Sequence, residues 1–312
     1  MLVCVLQWGG NKYAWNSATI IGLLVGFAVL LALWLAFEAF VAPPLALLKT
    51  SLYRNRTQAA ASFIAFCTMF LMLTALYYLP IQFQATNHDS AVKSGLRILP
   101  FLLSLIVFSG ISGAIASKTG RVKPIMIVGP MFTAVGAGLM YTFTVNSNNG
   151  QLYGYQILFG AGIGFVMQNA ILLPQAVFVG EDIAPATAAV QLTQLAGGLI
   201  GLGVSASVFT NKLADNLAEL APTASPLVLN SVQAIYETSI VPLELRAAVV
   251  EAYMRSIRQI YIMGVPLSIL MILTAFVVHN VNLKGPSLSL SGCLTLRRRG
   301  PRGRHGVRCS SA

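Results

Sequence analysis

Charge is what this sequence has least of. Only 9% of its 312 residues are Asp, Glu, Lys or Arg, against 56% hydrophobic residues and a mean hydropathy of +0.75. A soluble domain carries about 25% charged residues. So few charges cannot cover a water-facing surface, and most of the chain is expected to meet lipid. Acidic groups are the scarcer kind, 9 against 20 basic ones, leaving a net charge of +11. In a soluble chain that excess would point to nucleic acid. Here the Lys and Arg lie between and after the apolar stretches, which is the pattern of membrane topology, so no nucleic-acid partner is expected. Cysteine is sparse as well. Cys4, Cys67, Cys293 and Cys309 are scattered, with no CxxC pair or Cys/His cluster, which argues against a disulfide framework and a zinc site. No Ser/His/Asp set, paired carboxylates or metal ligands converge, so no enzyme, cofactor or metal is expected.

What the chain does have is long apolar runs. A helix crosses the hydrocarbon with about 20 apolar residues. Seven stretches qualify: Ser17 to Phe40, Ala59 to Pro80, Ile98 to Ala116, Ile125 to Val145, Leu152 to Val179, Ala186 to Thr210 and Ile260 to Val278. The last six contain no charged residue, and the first holds only Glu38. All should be helices, because an open strand edge in lipid leaves backbone groups unpaired. The expected fold is therefore an all-α integral membrane protein of seven transmembrane helices. The start, MLVCVL, is too short for a span and reads as the end of a helix that begins upstream, so residues 1–16 read as the remnant of an outer loop in a longer protein. Residues 211–257 form the one sizeable segment outside the bilayer, and 285–312 a basic, disordered tail. From Pro242, Leu245, Val249, Ala252 and Tyr253 recur at helical spacing, which predicts an amphipathic helix resting on the outer surface.

Loop charges orient the spans. Thirteen Lys and Arg fall on the side of the C-terminal tail and seven on the other, which makes the tail side cytoplasmic.

Three groups of residues stand out. The first is the turn from Gly113 to Pro124, GAIASKTGRVKP, where Gly113 and Gly120 bracket a tight connection carrying Lys118, Arg121 and Lys123. It reads either as a gating loop, whose cations meet helix C-terminal carbonyls or carboxylates of a neighbour, or as an ordinary cytoplasmic loop. The second is a pair of small-residue faces, Gly160 with Gly164 and Gly197 with Gly201, each four residues apart. Such faces let helices approach closely, and a smooth face also lets them slide. Gly160-Ala-Gly162-Ile-Gly164 lacks the spacing of a nucleotide loop. The third is a set of polar side chains inside spans, which are costly in lipid: Tyr77, Tyr78, Gln168, Asn169, Gln191 and Gln194. They read as the lining of a substrate cavity or as interhelical hydrogen bonds.

The Gly113–Pro124 turn resembles the C-terminal copy of the glycine and basic signature of the major facilitator superfamily, with Ser117 where the family usually has an acid. Leu6-Gln-Trp-Gly-Gly10 with Tyr13-Ala-Trp15, Asn55-Arg-Thr57, Tyr77-Tyr-Leu-Pro80-Ile-Gln82-Phe-Gln84, the Gly160 cluster with Gln168, and Gly197-Gly-Leu-Ile-Gly201 extend the resemblance to fourteen-helix drug:proton antiporters, in particular fungal efflux pumps. The resemblance implies that residues 17–40 are a linker helix and 59–279 the six-helix C-terminal bundle. It implies a proton-coupled exporter of amphipathic small molecules in the plasma membrane, with a lipid bilayer, a small-molecule substrate and a missing N-terminal half as partners. An uptake carrier of the same fold and a non-transporting membrane fragment remain open alternatives. The orientation has a direct test. Asn55-Arg56-Thr57 is a glycosylation sequon on the expected cytoplasmic side, so Asn55 should stay unmodified in a eukaryotic host. A glycan on Asn55 would reverse the topology.

Overall fold

A computed structural model describes residues 1, 4–5, 8–9, 13, 16–40, 50–222, 228, 232–237 and 241–278. The basic tail, Cys293, Cys309, most of residues 1–16 and the Glu38 side chain lie outside the described residues. The described chain is helical. It contains α1 (Ala18–Phe40), α2 (Thr50–Tyr53), α3 (Arg56–Asn87), α4 (Ala91–Arg97), α5 (Leu99–Thr119) and α6 (Lys123–Tyr141). There follow α7 (Asn149–Val177), α8 (Ile183–Leu220), α9 (Leu243–Ile262) and α10 (Gly264–Val277), with short 3₁₀ turns at Gly180–Asp182 and Val232–Tyr236.

Among the described residues six helical stretches are long and apolar enough to cross a membrane: Arg56–Asn87, Ala91–Thr119, Lys123–Tyr141, Asn149–Val177, Gly180–Leu220 and Leu243–Val277. They coincide with the last six expected spans. Several ends are set by identifiable groups. The Asn55 side chain accepts from the Thr57 amide at 2.9 Å and starts α3, so one polar residue of the sequon is a helix cap. Asn148 and Gln151 form a capping box at the start of α7. α1 is helical too, but its apolar side chains from Ile21 to Phe37 are largely exposed.

Glycine registers fix the packing. In α7, Gly160 and Gly164 share one face, while Gly162, two residues from each, points the opposite way. The first face meets α5: a Cβ on Gly160 would lie 2.6 Å from the Phe101 carbonyl oxygen, and one on Gly164 would overlap that of Leu105. The second face meets α6, where a Cβ on Gly162 would lie 2.8 Å from the Gly129 carbonyl oxygen. One on Gly136 of α6 would lie 2.7 Å from the Phe159 Cα. α7 is thus held between parallel α5 and antiparallel α6. The third close contact joins parallel α3 and α8. A Cβ on Gly197 would overlap the Phe66 carbonyl, and one on Gly201 would come within 2.9 Å of the Phe70 backbone. Thr74 and Ser205 hydroxyls pair at 3.0 Å, and the Gln58 amide donates to the Ala186 carbonyl at 2.9 Å along the same seam. α3, α7 and α8 also touch one another, and α10 closes the bundle against α6 and α3.

α8 does not stop at Thr210 but continues to Leu220, so its 38 residues extend about 57 Å, well beyond the hydrocarbon. The extension carries Leu213 and Leu217 into a second apolar cluster with Val228, Ile235, Val241, Val249, Ala252 and Tyr253. This corrects the expectation for α9. Its apolar face is covered by the α8 extension and by the 3₁₀ turn, not by lipid headgroups, because the longer α8 supplies a protein surface where only a loop was expected.

The glycine contacts make a stability prediction. Gly162→Ala and Gly197→Ala should each cost about 1–3 kcal/mol, since backbone atoms must move apart. Gly110 of α5 has nothing within 4 Å of an added Cβ, so Gly110→Ala should be neutral or gain up to about 1 kcal/mol. Unfolding of the purified chain in detergent, compared among the three variants, checks the ordering.

Candidate functional site

The helix registers establish depth. Lys123 begins α6 and its ammonium donates to the Phe276 carbonyl in the last turn of α10 at 2.9 Å. At the far end of α6, Arg258 of α9 donates to the Tyr141 carbonyl at 2.7 Å. Tyr261 donates to the Gln82 side chain at 2.8 Å, so α3 ends at the Arg258 level and starts at the Lys123 level. The bundle therefore has a Lys123 end and an Arg258 end.

The six polar residues do not share one face. Tyr77 of α3, Gln168 of α7 and Gln191 of α8 are exposed, one on each of the three mutually packed helices. Gln168 and Gln191 lie in the half nearer Lys123, Tyr77 in the other. Tyr78, Asn169 and Gln194 are buried inside the bundle. Helix periodicity explains the split. Tyr78 follows Tyr77 by about 100°, and its ring packs 5.3 Å from Phe209. Asn169 turns inward and donates to the Phe165 carbonyl at 2.7 Å. Gln194 is three residues before Gly197 and four after Val190, on the face that meets α3.

The turn between α5 and α6 is built as its glycine suggests. Gly120 takes φ = 71°, and its amide donates to the Ala116 carbonyl at 2.8 Å, closing α5 in the left-handed conformation. The Ser117 hydroxyl donates to the Gly113 carbonyl at 2.9 Å. Lys118 and Arg121 are exposed. Gly113 does not open the turn as expected but lies within α5, which runs on to Thr119, and it has free space around it. Lys123 sits unfavourably at the positive end of α6 but favourably at the negative end of α10. Its reach across to Phe276 makes the second interaction prevail in this arrangement.

Sequence reasoning missed several groups. The Asp89 carboxylate is 0% exposed, although it lies in the turn after α3, and it pairs with Lys93 at 2.7 Å and Arg97 at 2.8 Å. Its i,i+4 spacing to Lys93 was the available signal. Next to it, His88 stacks on Tyr236 with ring centroids 3.9 Å apart, and Tyr236 donates to the Ala85 carbonyl at 2.7 Å. Burial pushes the Tyr236 phenol above its ordinary value, so it stays protonated and keeps donating. Arg246 of α9 covers the ring and donates to the Tyr236 carbonyl at 3.2 Å. Buried amide atoms with no partner among the described residues fall mainly on the same three helices: Gln58 Oε1, both ends of Gln156, Asn169 Oδ1 and Gln194 Nε2. No group of three or more His, Cys, Asp or Glu among the described residues is placed to hold a metal.

No family model matches the chain. Named relatives do. It is 34% identical over 292 residues to an MFS-type efflux pump of Arthroderma benhamiae, covering 92% of this chain and 53% of that protein. It is 41% identical over 224 residues to an MFS thioclapurine efflux transporter of Claviceps purpurea, covering 71% and 41%. An MFS-type transporter of Trichoderma harzianum is 34% identical over 265 residues, covering 85% and 46%. The chain belongs to the major facilitator superfamily. It spans about half the length of the curated relatives it matches. These relatives are named as transporters, not enzymes. A major facilitator bundle with its lipid-length helices gives physical meaning to exposed polar groups: Gln168 and Gln191 facing lipid would each be a cost, whereas facing a water-filled path they are not.

Substitutions at two positions probe the α5–α6 turn. Gly120→Ala should cost about 1–2 kcal/mol, the penalty of a Cβ in the left-handed region. Lys123→Met should speed hydrogen exchange in the last turn of α10, and Lys123→Arg should largely restore protection. Equal protection in all three proteins would show that the Phe276 contact holds nothing.

Proposed function

We propose that this chain is the C-terminal six-helix bundle, with one preceding linker helix, of a fourteen-helix proton-coupled exporter of amphipathic small molecules. The observation that carries this reading is the placement of Tyr77, Gln168 and Gln191. Each is an exposed polar side chain within a membrane-length helix, one on each of the three helices at the bundle's heart. A phenol and two amides on apolar walls suit uncharged or weakly polar amphiphiles. The names of the relatives support export as the direction. In this reading α1 is the linker span, the first of the seven, and a second bundle of like size completes the cavity. Tyr78, Asn169 and Gln194 position the lining helices from inside. The α5–α6 connection with Gly120 and Arg121, together with Gly113 and Lys118 in the last turns of α5 and Lys123 at the start of α6, acts as a gate on the cytoplasmic face of the plasma membrane. Its contact with Phe276 belongs to one of two states. The glycine faces of Gly160, Gly164, Gly197 and Gly201 keep the helices in register as the gate works.

The roles separate experimentally in a full-length parent. Arg121→Ala removes charge from the gate, not a substrate contact. It should slow export of every substrate by a similar factor, a few-fold for a bias near 1 kcal/mol. Gln191→Leu should change the rank order of substrates. Export measured over a panel of unrelated amphiphiles checks both. If Arg121→Ala reorders the panel and Gln191→Leu scales it evenly, gate and lining have been exchanged.

A further inference from the structure

At the Arg258 end lies a cleft of about 550 Å³ that the transport reading does not use. It is lined by Tyr141 of α6, Lys212 and Asn216 of α8, and Glu251, Arg255 and Arg258 of α9. Its depth is fixed by α6. The 19 residues from Lys123 to Tyr141 extend about 28 Å, close to the thickness of the hydrocarbon. With Lys123 at one boundary, Tyr141 stands at the other, the level at which lipid phosphates begin.

The charges in the cleft are unequally matched. Arg255 pairs with Glu251 at 3.2 Å and more loosely with Glu219 at 3.8 Å. Lys212 meets Asp215 at 3.4 Å. Arg258 has no carboxylate within ion-pair distance among the described residues. Its Nε is committed to the Tyr141 carbonyl, and its guanidinium lies 4.9 Å from the centre of the Tyr141 ring. That holds the group half-buried and fixed, with its two terminal nitrogens left to face the cleft. A planar cation so held matches a phosphate diester with two parallel hydrogen bonds. Toward the bilayer from the cleft, Val135 and Met131 of α6 and Ile262 and Ile269 of α9 and α10 are exposed apolar side chains on which acyl chains can lie.

We propose that this cleft is a seat for a membrane glycerophospholipid, with its phosphate on Arg258 and its acyl chains along α6 and α10. A free phosphate ion offers the same headgroup chemistry but none of the apolar contact. The seat rests on the membrane reading alone, so its failure leaves the transport proposal standing.

The test uses the full chain purified in detergent, with retention read by native mass spectrometry. Three probes are compared: palmitoyl-oleoyl phosphatidylethanolamine, the diacylglycerol with the same chains, and inorganic phosphate. The phospholipid should be retained, the diacylglycerol should not, and inorganic phosphate should fail to displace the lipid. Arg258→Gln should lower retention at least about tenfold, and Arg258→Lys less, since it keeps charge but loses the fork. If Arg258→Gln loses helical circular dichroism, Lys212→Gln with Arg255→Gln replaces it, and a smaller loss of retention is expected, since both cations already have carboxylate partners. Equal retention of diacylglycerol, displacement by inorganic phosphate, or undiminished retention in a folded Arg258→Gln or double variant would overturn the assignment.

Discussion

Between helices in lipid the hydrophobic effect supplies almost no attraction, because acyl chains are as apolar as leucine. Association rests on close van der Waals packing and a few hydrogen bonds, and both need backbones to approach. α7 meets that constraint on two sides at once. Gly160 and Gly164 admit the α5 backbone, and Gly162 admits α6. The α3–α8 seam repeats the device with Gly197 and Gly201 against Phe66 and Phe70. Tyr77, Gln168 and Gln191 are exposed on the three helices α3, α7 and α8, Gln168 one turn beyond Gly164 on the same row.

This explains which parts of the architecture can be read from sequence. Lipid selects for uninterrupted apolar length, so six spans are visible in the one-dimensional pattern, and their helicity follows from backbone hydrogen bonding in hydrocarbon. The small-residue pairs at i,i+4 are visible for the same reason. Gly129, Gly136 and Gly162 were not, since no two of them are four apart; their interdigitation exists only between helices. Where α8 leaves the hydrocarbon its composition turns polar, so hydropathy marks an end at Thr210 although the helix runs on to Leu220.

The polar residues divide along the same line. That a glutamine in a span matters is legible from cost alone. Which of Gln191 and Gln194 turns outward is not, because an amide on an apolar helix carries no mark of its neighbour. Amphipathicity in α9 is equally blind to what covers the apolar face. Lipid headgroups and the α8 extension ask for the same stripe of Val249, Ala252 and Tyr253. Asp89 drew no attention in the sequence because it lies between spans. Its burial depends on Arg97, a residue at the end of α4 that only the turn at His88, with φ = 53°, folds back over it.

The two ends of the bundle are held by forces of different kinds. At the Lys123 end an exposed ammonium meets a helix carbonyl, a contact worth about 0.3–1 kcal/mol and weakened further by salt. At the other end the fully buried Asp89 carboxylate is held by two cations. Separating them there would leave an uncompensated charge, a penalty of several kcal/mol for a buried pair. The exposure of Lys93 lowers that figure without removing the desolvated carboxylate. The second apolar cluster and the Tyr236 stack reinforce the same end. The ion pairs of Asp89 close one short stretch of chain, whereas the Lys123 contact with Phe276 and the Gln58 bond to Ala186 join helices far apart in sequence.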